Sequence, residues 1–249
     1  MTSTTEPGET SANDRAPGLL AEHPWWPYIV PIGLFLSFTS AEGMFPAGPN
    51  GEADPFWYPI YYSLKITIVA ISAWVARTSW RDLRPIPGIP TLLVSAGLGL
   101  LVAVVWVGLV NHVPYPTFGE VGERIGFDPG TIAQPAGRWG FLVARFLGLV
   151  LIVPLIEELF WRSFLMRWII NPDFERVPVG QVTWPAALVT SAMFAVAHPA
   201  EWPAALLTGL AWAGLLARTK SLFACFLSHL VANLALGVYI MATGAWRFW

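Results

Sequence analysis

The sequence predicts an all-α fold, a bundle of about seven to eight helices that cross a membrane. Hydrophobic residues make up 55% of the 249 residues and charged residues only 12%, whereas about a quarter of the residues in a soluble domain are charged. Several apolar stretches also approach or exceed the roughly 20 residues that a helix needs to cross a bilayer. These observations exclude a soluble α/β fold and indicate a multi-pass membrane protein.

The amino-terminal region differs in composition from the rest of the chain. Residues 1–24 are polar, rich in Pro, Gly, Ser and Thr, and poor in large apolar side chains, which predicts a disordered tail. Arg15 is their only arginine or lysine, so the basic region that begins a cleavable signal peptide is missing. We therefore expect the first span to be retained and residues 25–249 to form a single transmembrane domain.

Apolar segments in the sequence are the candidate membrane spans. They cover residues 28–44, 56–76, 90–111, 138–170, 183–199, 202–217 and 221–243. The fourth segment is too long for one straight crossing. Pro154 can kink it, because proline lacks the N–H group that a helical turn needs. This segment is therefore either one kinked helix or two helices.

Basic residues are concentrated in alternate connections between the spans. Three arginines lie within residues 77–84, and Arg218 and Lys220 follow the sixth segment, whereas residues 45–55 and 200–201 contain no arginine or lysine. Because basic residues favour the cytoplasmic side, the pattern predicts a cytoplasmic amino terminus and tail and an extracytoplasmic carboxyl terminus. The expected location is the inner (cytoplasmic) membrane of the cell.

The overall charge and the cysteine content exclude two kinds of site. The net charge of −2 leaves no basic surface for nucleic acid, which is therefore not an expected partner. Cys225 is the only cysteine, so an intramolecular disulfide and a cysteine-rich metal site are both excluded.

Two adjacent carboxylates and an arginine interrupt the apolar fourth segment. An ionised side chain at the centre of a bilayer costs roughly 2.5–3.5 kcal/mol on insertion scales, so such groups are expected to pair or to perform chemistry. Glu158 and Arg162 are four residues apart, share one helix face and can pair. Glu157 points about 100° away, and no cation lies three or four residues from it. Glu157 is therefore free to face another helix.

Two further segments bring polar side chains to a similar depth. Phe194 and His198 are four residues apart on the fifth segment, and His229 and Asn233 on the seventh. Counted along the helices, these groups and Glu157 reach overlapping depths. The set is chemically sufficient for water-mediated amide hydrolysis: a shielded glutamate can be the general base, one histidine can transfer the proton, and a histidine and an amide can stabilise an oxyanion.

These motifs resemble those of a known family. They are EExxxR at Glu157–Arg162, FxxxH at Phe194–His198 and HxxxN at His229–Asn233. The same ordered motifs are typical of the CPBP family of intramembrane glutamic endopeptidases, the group of CAAX proteases and bacteriocin-processing enzymes. The resemblance covers a core at about residues 138–240. The phrase PLIEELFWRSFLMRW is also similar to CAAX-protease-related proteins that are found beside exosortase systems.

The family resemblance implies a role for each of these residues. Glu157 and His198 would activate the catalytic water, and His229 and Asn233 would bind the oxyanion. The supporting residues would be Glu158, Arg162 and Phe194. The implied protein is an endopeptidase without a cofactor. Its expected partners are membrane lipid, a protein-sorting system and a membrane-associated protein or peptide substrate. This substrate is expected to be cut near its carboxyl terminus.

Other functions remain compatible with the same residues. Glu157, His198 and His229 are residue types that bind zinc, although the HExxH motif is absent. A transporter or proton carrier also uses intramembrane charges, and a non-catalytic scaffold would need the cluster only for its structure. For Glu158 and Arg162, a structural ion pair is as well supported as a catalytic role. The sequence predicts that Lys65 and Arg145 snorkel or line the interior.

Overall fold

A computed structural model describes residues 23–44, 53–116 and 126–249. Over these ranges the chain is helical and contains no β-strand, which confirms the predicted all-α fold. The predicted disordered tail lies outside this part of the chain, except for His23 and Pro24.

The long helices coincide with the predicted apolar segments. They are α1 Trp26–Ala41, α2 Trp57–Val75, α3 Ile89–His112, α4 Pro135–Ile170, α5 Trp184–Val196, α6 Trp202–Thr219 and α7 Leu222–Thr243. Each of them begins and ends within three residues of the corresponding apolar segment. Apolar patterning therefore located the helices in the described ranges well.

Local sequence explains where several helices begin and end. Proline lies in the first turn of α5 and of α6, where its missing N–H would have no helical partner anyway. The side chains of Thr183 and Ser221 cap α5 and α7 by accepting a hydrogen bond from a backbone N–H of the first turn. Gly244 ends α7 with φ +70°, a left-handed conformation that glycine adopts without steric cost.

Length and hydropathy support several of these helices as membrane spans. In the described ranges, α3, α4 and α7 are each long and apolar enough to cross a membrane. The helix α2 becomes a fourth if it is counted together with the 3₁₀ turn Arg77–Leu83, which is bent 75° from it. The apolar helix α5 is shorter. The protein is thus a multi-pass membrane protein, and the number of seven to eight spans stays a prediction.

The fourth segment forms one continuous helix of 36 residues rather than two. It contains two π-helical segments, Leu147–Ile152 and Leu159–Leu165. In each of them a backbone N–H bonds to the carbonyl five residues back, as Val153 does to Gly148. Such wide turns accommodate an extra residue within a helix and often occur at functional sites. The second segment begins directly after Glu158, and the first ends five residues before Glu157.

The helices α4 and α7 lie at the centre of the bundle. The helix α7 packs along α3 and also contacts α4 and α6, while α5 packs on α6 and α1 on α2. The contact between α3 and α7 requires Gly99, because a Cβ atom there would lie 2.3 Å from the carbonyl oxygen of Ser228. This close approach packs α7, with its histidine and asparagine, tightly against α3.

A buried polar network fastens one end of α4, the end that the charge pattern predicts to be cytoplasmic. Asp82, in the 3₁₀ turn after α2, accepts hydrogen bonds from the Tyr28 hydroxyl at 2.8 Å and from Arg167 at 2.6 Å. Ser163 donates to the same carboxylate oxygen. Asp82 therefore joins α1, α4 and the turn after α2 at one point.

Candidate active site

A cavity of about 470 Å³ lies among the helices, and all seven of them contribute to its wall. The four predicted catalytic side chains, Glu157, His198, His229 and Asn233, all line it. Phe194 lines it too. Long-range packing thus brings to one cavity residues that the sequence places on three separate segments.

The two adjacent glutamates occupy different environments. Glu158 is fully buried, and its Oε1 accepts a hydrogen bond from Arg162 at 3.2 Å. The predicted pairing of these two residues is therefore present. The guanidinium of Arg162 also lies 4.7 Å from the ring of Phe194 and 5.0 Å from the ring of Trp212. Glu157, by contrast, faces the cavity.

His229 connects the two glutamates. Its Nδ1 lies 2.9 Å from Oε1 of Glu158, and its Nε2 lies 3.7 Å from Oε2 of Glu157. An ionised carboxylate can only accept a hydrogen bond, so the Nδ1–H group donates to Glu158 and Nε2 faces Glu157. The imidazole also stacks on Trp212 at a centroid distance of 4.2 Å. Glu158 and Trp212 together orient the histidine.

His198 lies where α5 ends and the 3₁₀ turn Pro199–Glu201 begins. Its Nδ1 is 2.9 Å from the backbone carbonyl oxygen of Phe194. A carbonyl can only accept, so Nδ1 carries the proton in this arrangement and Nε2 is the unprotonated nitrogen of a neutral ring. The ring packs 4.5 Å from the ring of Phe194 and 5.7 Å from that of Trp106 on α3.

Asn233 binds the backbone of α4. Its Nδ2 donates a hydrogen bond to the carbonyl oxygen of Leu149 at 2.8 Å. This carbonyl lacks a helical partner, because the N–H of Val153 bonds to Gly148 and the next residue, Pro154, has no N–H. Asn233 therefore completes the hydrogen bonding of the first π segment. A role as oxyanion donor depends on its second amide hydrogen and stays a prediction.

Some lining residues were not recognised from the sequence. Trp212 is buried, lines the cavity and donates a hydrogen bond from Nε1 to the Ser228 hydroxyl at 3.0 Å. A useful signal is its position in the middle of an apolar segment rather than at an end.

Lys65 and Arg145 line the cavity. The sequence predicted that they either snorkel or line the interior, and the second alternative is the one observed. Neither snorkels, because their exposed fractions are 3% and 7%. Lys65 binds the carboxylate of Glu42 and the hydroxyl of Thr39.

Possible metal ligands are not clustered in the described part of the chain. No group of three or more His, Cys, Asp and Glu side chains there is arranged to hold a metal ion. The zinc alternative, with Glu157, His198 and His229 as ligands, therefore gains no support from the side-chain geometry.

Comparison with known proteins agrees with the three motifs. Residues 139–235 match the family model described as type II CAAX prenyl endopeptidase Rce1-like. The matched region runs from the first half of α4 into α7 and includes the glutamates, both cavity histidines and Asn233. No curated protein and no solved structure matches the chain, and the exosortase-associated subgroup is not confirmed. Residues 139–235 are thus similar to the Rce1-like CAAX endopeptidases, which supports the resemblance that the three motifs indicated.

Proposed function

We propose that this protein is a glutamate-dependent, metal-independent endopeptidase, in which Glu157 activates a water molecule that hydrolyses a peptide bond within the membrane. The similarity of residues 139–235 to the Rce1-like endopeptidases supports peptidase activity. The observation that carries the finer proposal is the contrast between the two glutamates. Glu158 is bound by Arg162 and His229, whereas Glu157 lines the cavity and makes no hydrogen bond to any described residue. Glu157 is thus available to a water molecule and a substrate.

The reaction follows from general base catalysis. Glu157 accepts one proton from the water, and the oxygen adds to the carbonyl carbon of the substrate. The C–N bond then breaks as the amine nitrogen receives a proton, which Glu157 returns directly or through Nε2 of His198. The products are a carboxylic acid and an amine, and no covalent enzyme intermediate forms.

His229 has a defined requirement if it binds the oxyanion. A neutral His229 that donates from Nδ1 to Glu158 presents an unprotonated Nε2, which cannot donate to an oxyanion. The oxyanion role therefore needs the imidazolium form. The Glu158 carboxylate, 2.9 Å from Nδ1, stabilises that cation. The second amide hydrogen of Asn233 would supply a further donor.

We further propose a location and partners for this protein. The protein lies in the inner (cytoplasmic) membrane with its amino terminus in the cytoplasm, because the basic residues lie in the connections after α2 and α6. Its substrate is a membrane-associated protein or peptide, cut near its carboxyl terminus. Membrane lipid surrounds it, and a protein-sorting system is a further partner.

The test is the substitution Glu157→Gln, which preserves the shape of the side chain and removes the base. Membrane proteomes of cells that express the wild-type or variant protein are compared for new carboxyl-terminal peptides. Glu175→Gln is the matched control, because this exposed carboxylate pairs with Arg81 outside the cavity. We expect new termini with the wild type and the control but not with Glu157→Gln.

Two other outcomes of this comparison contradict the proposal. Equal cleavage by a correctly folded Glu157→Gln protein would show that Glu157 is not the base. An absence of new termini with the wild-type protein would favour the transporter-like or scaffold alternatives.

A further inference from the structure

The position of His198 depends on a short turn between two helices. The 3₁₀ turn Pro199–Glu201 follows His198 and leads directly into α6. His198 itself lies outside the helical conformation, with φ −124° and ψ 61°. Within the turn, the N–H of Glu201 donates to the carbonyl oxygen of His198 at 3.1 Å, whereas Pro199 has no N–H to contribute. Contacts that hold this turn therefore also hold the imidazole.

Residues 113–116, which directly follow α3, lie against this turn. The hydroxyl of Tyr115 donates a hydrogen bond to the carbonyl oxygen of Ala200 at 2.9 Å. In the opposite direction, Nε1 of Trp202 donates one to the carbonyl oxygen of Pro116 at 2.9 Å. The rings of Tyr115 and Trp202 also meet edge to face, with their centroids 6.5 Å apart. Each side thus supplies one donor and one acceptor, and the end of α3 is joined to the turn.

Two prolines restrict the conformation of segment 113–116. Pro114 and Pro116 flank Tyr115, and the ring of each proline fixes its own φ at about −65°. A residue that precedes a proline is also confined to extended conformations, and Val113 adopts one with φ −111° and ψ 115°. Because proline-rich segments are stiff for this reason, Tyr115 loses little conformational freedom when its hydroxyl binds the turn.

The last turns of α3 also contact the imidazole itself. Trp106 packs edge to face on the ring of His198, with a centroid distance of 5.7 Å and an interplanar angle of 81°. From the side of α5, the carbonyl oxygen of Phe194 binds Nδ1. Tyr115 adds a different restraint, because it holds the backbone two residues after His198. The ring and the backbone of the histidine are thus fixed by separate groups.

We propose that Tyr115 is a positioning residue for the peptidase reaction, because its hydrogen bond to Ala200 keeps the imidazole of His198 in place in the cavity. The inference rests on the proposed function, in which His198 transfers a proton. Such a transfer requires heavy atoms within about 2.6–3.2 Å of each other, and a misplacement of about 1 Å can slow a reaction about a hundredfold. Tyr115 does not line the described cavity, so it acts through His198 and not on the substrate. It also lies outside residues 139–235, and the family comparison therefore assigns it no role.

The test removes the hydroxyl and observes the histidines directly. The chain contains four histidines, so the purified full-length protein, labelled with carbon-13 at histidine Cε1 and held in a neutral detergent, gives four NMR signals. Replacing each histidine in turn assigns them. Tyr115→Phe keeps the ring and loses the hydrogen bond. We expect the His198 signal to shift or split, because the imidazole then samples more than one orientation. The His229 signal should not change, because its contacts with Glu158 and Trp212 are untouched.

Cleavage is measured with the same variants. The rate is the appearance of new carboxyl-terminal peptides in membranes after expression begins, divided by the amount of the protein. We expect Tyr115→Phe to lower it about two- to tenfold, the range that loss of one neutral hydrogen bond allows. Trp202→Phe removes the opposite hydrogen bond, to Pro116, and should change the His198 signal in the same way. This second variant tests the inference even if Tyr115→Phe does not fold.

Tyr61→Phe is the matched control. The hydroxyl of Tyr61 likewise donates to a backbone carbonyl oxygen, that of Phe38 at 2.6 Å, but it joins α2 to α1. This variant should leave both the His198 signal and the cleavage rate unchanged.

The outcomes distinguish this inference from the proposed function. An unchanged His198 signal in Tyr115→Phe and Trp202→Phe overturns the positioning role, while the effect of Glu157→Gln on cleavage is measured separately. Equal changes in the His198 and His229 signals, or a changed His198 signal with an unchanged cleavage rate, also overturn it. An absence of new termini with the wild-type protein overturns the proposed function and this inference together. A change confined to His198 with slower cleavage supports it.

Discussion

Nδ1 of His229 lies 2.9 Å from Oε1 of Glu158, although the two residues are 71 positions apart in the chain. From the sequence, we predicted only one partner for Glu158, namely Arg162, which follows it by four residues. The carboxylate in fact serves both partners, and it thereby connects the buried ion pair of α4 to a histidine of the cavity. The two adjacent glutamates should consequently respond very differently to the same substitution.

Glu158→Gln is expected to destabilise the protein strongly. It removes the charge that faces the buried Arg162, and loss of one partner from a buried ion pair costs about 3–5 kcal/mol. Peptidase activity should fall as well, because His229 loses the acceptor that orients it. Unfolding of purified protein in mixed micelles measures the first effect, and cleavage of a membrane substrate measures the second.

Glu157→Gln is the matched control for this measurement. Its unfolding free energy should change by less than that of Glu158→Gln, because the Glu158–Arg162 pair stays intact, whereas its cleavage activity should be lost. Equal destabilisation by the two substitutions would contradict the distinction between a structural and a catalytic glutamate.

Trp212 should contribute to activity through its stack on His229. Trp212→Phe keeps an aromatic face against the imidazole but loses the hydrogen bond to Ser228, and Trp212→Leu loses both. Aromatic stacking is worth about 0.5–1.5 kcal/mol beyond buried area. We therefore expect the Leu variant to cleave about two- to tenfold more slowly than the Phe variant.

The rate ratio between these two Trp212 variants is the informative quantity. Ser228→Ala serves as the control, because it removes the same hydrogen bond and leaves the stack in place. Equal rates for Trp212→Phe and Trp212→Leu would mean that the stack does not position His229.

Asp82 is expected to be a stability residue at the end of α4 away from the cavity. Asp82→Asn leaves Arg167 buried without its carboxylate and should cost about 3–5 kcal/mol of unfolding free energy. The exposed pair between Arg81 and Glu175 provides the comparison, because Glu175→Gln should cost about 0–1 kcal/mol. Cleavage per folded molecule should be unchanged in both variants. Thermal unfolding and active-site titration of the same samples test this, and a loss of activity without destabilisation in Asp82→Asn would contradict it.

Features that depend on residues close together in the chain were predictable from the sequence. Apolar segments located the helices within a few residues, because burial in lipid imposes a continuous apolar run. The Glu158–Arg162 pair was predictable from a spacing of four on one helix. The motif spacings of Phe194 with His198 and of His229 with Asn233 also correctly identified residues that line the cavity.

Features that depend on packing between helices were not predictable from local patterns. The contact between His229 and Glu158 joins α7 to α4, and helix periodicity contains no information about it. The π segments change the direction of side chains along α4, so a regular 100° rotation would place Arg145 on a different side from Glu157. The position of Trp212 in the middle of an apolar segment is visible in the sequence, but its stack on His229 joins α6 to α7 and is not.

Asn233 and Pro154 should be energetically coupled, although they do not share a helix. Asn233→Ala removes the donor to the carbonyl oxygen of Leu149, and an unsatisfied buried carbonyl costs about 1–3 kcal/mol. Pro154→Ala restores a backbone N–H that can bond to this carbonyl in the π turn. If the turn reverts to an α-helix, the N–H of Val153 can do so instead. Asn233→Ala should therefore cost less in the Pro154→Ala background.

A double-mutant cycle measured by unfolding in mixed micelles tests this coupling. The expected coupling energy is at least about 0.5 kcal/mol and is larger than the roughly 0.3–0.5 kcal/mol scatter of independent sites. A parallel cycle of Pro154→Ala with Ser228→Ala, which lies on the same helix as Asn233 but binds Trp212, should be additive. If the Asn233 cycle is also additive, the amide of Asn233 is not satisfying the carbonyl that Pro154 leaves without a partner, and both its amide hydrogens would then be available to an oxyanion.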